Sequence, residues 1–223
     1  MPCHRHLRGR VPREGRPERL ASVPGISRPH RPRIVGISRG DHAAGTLAGF
    51  LRALHVEAPA EAPTSSDRGA HPQEVHGRLR LLLSSRCTRR RCGRRPGCLG
   101  RCRRGPEWEG PPVWVHGDLH PADVVVADGT LSGVIDFGDM FAGDPAWDLA
   151  AAWVVLPAGD ASRFFDVYAH ADEATIRRAR GLAALKSLFL MLMGQNGDRG
   201  LPGGKPTWGP AGRAALDRVL SER

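Results

Sequence analysis

Lysine is almost missing from this chain. Of its 33 basic residues only Lys186 and Lys205 are lysine, and the rest are arginine. Aromatic side chains are scarce too, at 5% of residues with one tyrosine, Tyr168. No Cys-x-x-Cys pair occurs. All five cysteines lie in the first half, at Cys3, Cys87, Cys92, Cys98 and Cys102, and the last four are separated by four, five and three residues. That spacing argues against a zinc knuckle. An odd count without an export signal argues against a disulfide framework. The N-terminus has no apolar segment of the kind a signal peptide needs. The apolar stretch from Leu182 to Met193 is interrupted by Lys186 and is shorter than the ~20 residues a membrane helix requires. These absences predict a cytoplasmic protein with no membrane partner.

What is abundant is arginine, and it is unevenly placed. The net charge of +10 conceals two opposite halves. Residues 105–223 hold 8 Arg, 2 Lys and 16 acidic residues, a net of −6, which leaves +16 for residues 1–104. Ten Arg fall in residues 1–40 and nine in residues 86–104. Neither stretch has periodic apolar positions. Runs of this kind read as disordered or as nucleic-acid-binding arms. Here no aromatics interleave with the arginines, so a nucleic-acid partner is the weakest of the readings.

The chemistry-bearing stretch lies between residues 113 and 150. Asp118 follows the apolar run Val113-Trp114-Val115, and Asp136 follows Gly133-Val134-Ile135. Between them Asp128-Gly129 marks a tight turn that folds the chain back and brings the carboxylates close. With no Lys or Arg beside them in sequence, converging carboxylates repel one another. A divalent cation relieves that repulsion, and Mg²⁺ prefers oxygen ligands of this type. Asp144 and Asp148, near Pro145, read as capping and loop-bracing groups of the helix that follows. His116 and His120 read as structural, their ring nitrogens bonded to backbone or to Asp148.

Three motifs in order carry a resemblance. They are His116-Gly117-Asp118-Leu119-His120-Pro121-Ala122-Asp123, then Ile135-Asp136-Phe137-Gly138-Asp139, then Gly143-Asp144-Pro145-Ala146-Trp147-Asp148-Leu149-Ala150. Together they resemble the catalytic core of the aminoglycoside phosphotransferase (APH) family, a branch of the protein-kinase-like fold. The resemblance implies an α+β chain, mainly a helical C-terminal lobe with a short β-hairpin carrying the catalytic loop. It implies transfer of the γ-phosphoryl of ATP or GTP to a hydroxyl of a small molecule, such as an antibiotic. It implies Asp118 as catalytic base, and Asp123 and Asp136 as ligands of Mg²⁺. Position 123 departs from the family pattern, which has Asn there. Aspartate adds a negative charge beside the phosphates, and altered metal use is expected.

Before residue 105 the likeness is confined to one segment. Asp41 to His55 places Leu47, Phe50, Leu51 and Leu54 at i, i+3, i+4 and i+7, an amphipathic helix. It is similar to the helix that opens the large lobe in the family. The flanking Arg-, Gly-, Pro- and Cys-rich stretches have the composition of a GC-rich gene read out of frame. The expected organisation is thus an Arg-rich segment, 1–40, that is disordered or out of frame, and a phosphotransferase-like lobe, 41–223. A disordered Arg/Cys-rich segment, 64–106, interrupts that lobe. Reading the DNA in all three frames tests the frame hypothesis. The family's small lobe carries a lysine that contacts nucleotide phosphates, and no lysine precedes Lys186. A truncated or inactive relative, and an Arg-rich nucleic-acid binder, are the alternatives to an active kinase.

After the motif, Pro145 opens a buried helix of about three turns. Further helices are expected over 161–169, from Asp172 to Met193, and from Pro210 to Leu220. The predicted core is Leu47, Phe50, Leu51, Val113, Val115, Val125, Ile135, Leu149, Trp153, Leu185 and Phe189.

Overall fold

A computed structural model describes residues 36–64 and 108–221. The Arg-rich stretch up to residue 35, the segment 65–107 and all five cysteines lie outside the described residues. So does most of what the composition predicts to be disordered. Ser38 and Arg39, ahead of the expected start of the lobe at residue 41, both donate backbone N–H to the Gly129 carbonyl at 2.9 Å.

Helix α1 spans Gly40–Leu54, with Ala43, Ala44, Leu47, Ala48 and Leu51 buried. The 3.6-residue period of those positions is why it forms and which face it buries. It lies against helix α4, Asp160–Tyr168. After α1 the chain runs alongside the strands: Trp114 donates to the Val56 carbonyl at 3.0 Å and Ala142 to the Pro63 carbonyl at 2.9 Å.

Four short strands make two antiparallel pairs. Strand β1, Val113–Val115, pairs with β4, Phe141–Gly143, in the register Val113↔Gly143, Trp114↔Ala142 and Val115↔Phe141. Strand β2, Val124–Ala127, pairs with β3, Thr130–Val134, with a bulge at Val125/Val126. The expected turn joins the second pair. Asp128 and Gly129 both have positive φ, 50° and 74°, the pattern of a two-residue hairpin turn whose twist matches its strands. The β1–β4 pairing was not foreseen, because nothing local in Phe141-Ala142-Gly143 announces a strand.

The expected helix after Pro145 runs as two short ones, α2 (Ala146–Leu149) and α3 (Ala151–Val154), joined at Ala150, whose backbone stays helical. Helix α5, Glu173–Asp198, extends past the predicted end at Met193, and Asp172 caps it by accepting from the Thr175 N–H at 2.7 Å. Helix α6, Trp208–Ser221, packs closely on α5. Two glycines allow that approach: a Cβ at Gly194 would lie 2.4 Å from the Gly209 Cα, and one at Gly212 would lie 2.6 Å from the Ser187 carbonyl oxygen. Among the described residues no helix is long and apolar enough to cross a membrane.

The core gathers α1, β1, β4 and the later helices around Leu47, Leu51, Val115, Leu119, Phe141, Leu149 and Phe164. Phe50, Val113 and Leu185 pack against it while only partly buried. Three predicted core residues are instead exposed: Val125 (42%), Ile135 (50%) and Phe189 (45%). Strand alternation turns Val125 outward from Val124 and Val126. Ile135 lies just beyond β3. Phe189 falls between the buried Leu188 and Leu190, on the outer side of a long helix.

Candidate active site

Strand β1 delivers the chain into His116-Gly117-Asp118, and side chains from elsewhere in the fold hydrogen-bond the backbone of the loop there. Gly117 has φ +86°, and a Cβ would lie 2.8 Å from the Asp139 carbonyl oxygen. Only glycine meets both demands. The His116 and Gly117 N–H groups donate to the two carboxylate oxygens of Asp148, at 2.6 and 3.0 Å. Asp148 is fully buried. Sequence reasoning gave it capping and loop-bracing roles; of the two, the structure shows loop-bracing, with Asp148 under the loop.

Asp148 is supported from behind. His55 Nε2 lies 3.3 Å from its Oδ2, and His55 Nδ1 lies 2.8 Å from the Tyr168 hydroxyl. Burial by itself would push the Asp148 carboxyl up. The hydrogen bond and charge of His55, the charge of Lys186 and the His116 amide outweigh it and hold the group below the usual carboxylate value. Burial, with the nearby Asp148 and Asp144 carboxylates, pushes Tyr168 up to about 12. The end of α1 and the end of α4 thus meet at the base of the loop.

The far side of the loop closes on the hairpin. His116 Nε2 donates to the Ile135 carbonyl at 2.9 Å, and Ile135 N–H donates to the Asp123 carbonyl at 2.8 Å. These bonds bring the backbones at 123 and 135 together, so Asp123 and Asp136 are neighbours across the mouth of the hairpin. Asp136 is exposed and has φ 65° at the start of a 3₁₀ turn, Phe137–Asp139. Positive φ of this kind is tolerated by Asp better than by most residues. Asp123 is buried, and its Oδ2 is hydrogen-bonded to Nδ1 of His120. The His120 ring in turn meets the Trp208 ring edge-on, 4.6 Å between centroids. Asp118 is half-buried at the centre of the loop. The His116 ring bonds backbone as expected, at the Ile135 carbonyl, whereas the His120 ring pairs with Asp123 rather than with backbone or Asp148.

Two groups were missed from sequence. Lys186, on α5, donates Nζ–H to the Gly117 carbonyl at 3.4 Å and to the Leu119 carbonyl at 3.3 Å. The only signal for it was a lone lysine in an otherwise apolar stretch. The second is Arg178, whose Nε donates to Asp144 Oδ2 at 2.7 Å while Nη2 donates to Thr175 Oγ1 at 3.0 Å. Asp144 also accepts from the Ala146 N–H at 2.9 Å, which is the loop-bracing role expected of it.

Oxygen donors suit a hard cation. Among the described residues no three His, Cys, Asp or Glu side chains are grouped to cage one. Asp123 and Asp136 offer oxygen donors from neighbouring positions of the backbone.

Comparison with known proteins adds to this geometry. The model of the phosphotransferase enzyme family (APH) matches residues 30–182. Among solved structures, the chain is similar to APH(2")-IIia in complex with GDP and kanamycin, at 18% identity and a TM-score of 0.52, covering 82% of this chain and 63% of that one. It is also similar to the gentamicin complex of APH(2")-IIa, at 19% identity and a TM-score of 0.47, covering 82% and 63%. A type I macrolide 2'-phosphotransferase matches at 22% identity and a TM-score of 0.48, covering 80% and 60%. The chain therefore spans less than two thirds of the length of these structures. No curated protein matches it. At these identities the likeness is one of fold: kinase-like, with the helical lobe present and few strands.

Proposed function

The chain belongs to the phosphotransferase enzyme family, and we propose that it transfers the γ-phosphoryl group of ATP or GTP to a hydroxyl of a small molecule, with Asp118 as the base. The supporting observation is the loop 116–120, gripped through its amides by Asp148 and through its carbonyls by Lys186, with Asp118 between the two grips. In phosphoryl transfer the protein chiefly positions the groups and screens charge. A loop anchored this way is a positioning device. Asp118 would accept the acceptor's hydroxyl proton as the new O–P bond forms and the bond to the nucleoside diphosphate breaks. Asp123 and Asp136 would hold Mg²⁺, which when bound neutralises phosphate charge. His120 would set the direction of the Asp123 carboxylate.

The acceptors of the similar structures, gentamicin, kanamycin and macrolides by name, are the first compounds to try. Cytoplasm, where nucleoside triphosphates are available, is the setting this reaction requires. Residues 41–223 would form the catalytic lobe, with 64–106 as an interruption and Ser38 and Arg39 bonded to it through Gly129.

The test uses the full chain with Mg²⁺, ATP or GTP, and an aminoglycoside or a macrolide. Nucleoside diphosphate release and an 80 Da gain in acceptor mass, roughly one phosphoryl group, are followed together. Turnover that falls roughly 10²–10⁴-fold in Asp118→Asn, with the fold unchanged, is the expected result. No heat on titrating millimolar nucleotide with Mg²⁺, and no turnover, would refute the reading in favour of an inactive relative.

A further inference from the structure

Lys186 sits in the wrong company for a surface lysine. It is half-buried on α5, with Leu182, Ala183, Ser187 and Leu190 buried around it on the same helix. Placing an ammonium group there costs hydration, and the group recovers it from backbone oxygen of one loop. The two carbonyls it meets, Gly117 at 3.4 Å and Leu119 at 3.3 Å, are those on either side of Asp118. A compact ammonium with several donors can serve two acceptors at once.

The loop is thus held from both electrical sides. Asp148, negative, takes the N–H groups of residues 116 and 117. Lys186, positive, takes the C=O groups of residues 117 and 119 and lies near enough to Asp148 to help keep it ionised. The peptide unit joining 117 to 118 is fixed through its oxygen, and so is the one joining 119 to 120. Between those two fixed planes the Cα of Asp118 has little freedom left.

We propose that Lys186 is a positioning residue: by bonding the two carbonyls that bracket Asp118, it sets where the Asp118 carboxylate meets the reacting hydroxyl. The loop-holding part stands on the geometry alone, whereas its catalytic consequence rests on Asp118 being the base proposed above. Lys186 acts through the backbone.

The two parts are tested on the same proteins, the full chain with Lys186→Met and Lys186→Arg. Methionine keeps length and helix propensity and removes the donors; arginine restores charge and donors. In ¹⁵N-labelled protein, Lys186→Met should shift the amide resonances of Asp118 and His120. It should also speed hydrogen exchange in the 116–120 loop roughly tenfold, the size implied by losing a hydrogen bond to a charged group. Amides of α1 and α6 serve as the control for folding and should not move. Lys186→Arg should return most of the wild-type pattern. Unchanged resonances and exchange at 116–120 would overturn the loop-holding role. In turnover, Lys186→Met should lower kcat roughly a hundredfold, the cost of misplacing a reacting group by about an ångström. The nucleotide KM should stay within about threefold. Unchanged kcat, or a raised KM alone, would overturn the positioning role. If the wild-type chain turns over nothing, the proposed function fails, and the amide measurements still decide what Lys186 does.

Discussion

Replacing Asp148 should be among the most damaging single changes available in the described lobe. Its carboxylate is fully buried and receives three donors: the N–H groups of His116 and Gly117 and the ring of His55. Asp148→Ala leaves all three in a buried setting without their acceptor. An orphaned buried donor costs about 1–3 kcal/mol, and water entering the vacated space recovers part of it, so a total of about 3–5 kcal/mol is expected. Asp148→Asn is the sharper variant. Its side-chain oxygen can serve one amide, while its NH₂ group confronts the other, and a loss of about 2–4 kcal/mol follows. The pH dependence has a definite sign. Because the fold holds the Asp148 carboxyl below its ordinary value, its contribution is fully present above an unfolded pKa of about 3.9 and is lost as pH falls through the lower folded value. Urea unfolding followed by circular dichroism, at pH 7 and in steps below pH ~4, measures both. Wild type should weaken steeply in acid, and Asp148→Asn should start weaker and show a shallower acid limb. A loss at pH 7 of less than about 1 kcal/mol, or an acid limb as steep as wild type, would refute the reasoning.

Three further outcomes concern the helices. Arg178→Met removes the guanidinium paired with Asp144 at 2.7 Å, and should cost about 3 kcal/mol in a urea titration; the Arg178 guanidinium also lies 5.5 Å from the Trp108 ring centre, so tryptophan emission should change in the folded baseline. Gly194→Ala drives a Cβ to 2.4 Å from the Gly209 backbone and should destabilise by about 1–3 kcal/mol. Gly49→Ala, with nothing within 4 Å of its Cβ position on α1, should raise stability by about 0.5–1 kcal/mol instead.

The spacing of three short motifs was enough to read the lineage, and elementary periodicity was enough to read most helices. Leu47, Phe50, Leu51 and Leu54 announce α1 because a helix repeats every 3.6 residues. Asp128-Gly129 announces the hairpin because few other pairs accept positive φ twice. These are signals carried within a few residues. Helix ends, the break at Ala150 and the face on which Phe189 lands depend on what packs alongside, and were misjudged accordingly.

The site divides the same way. Sequence alone determined that three aspartates stand at the motif positions and that Asp118 and Asp136 close short apolar runs. Only the tertiary structure decided what holds them. Asp148 reaches the loop from 32 residues away along the chain and Lys186 from 67. Charge attraction and hydrogen bonding depend on distance in space, and a lone sequence carries no record of which distant residues share that space. Read along the chain, Asp148 was a capping or bracing group with no stated partner loop, and Lys186 an interruption in an apolar run. Folded, they are the two hands on the loop that carries Asp118.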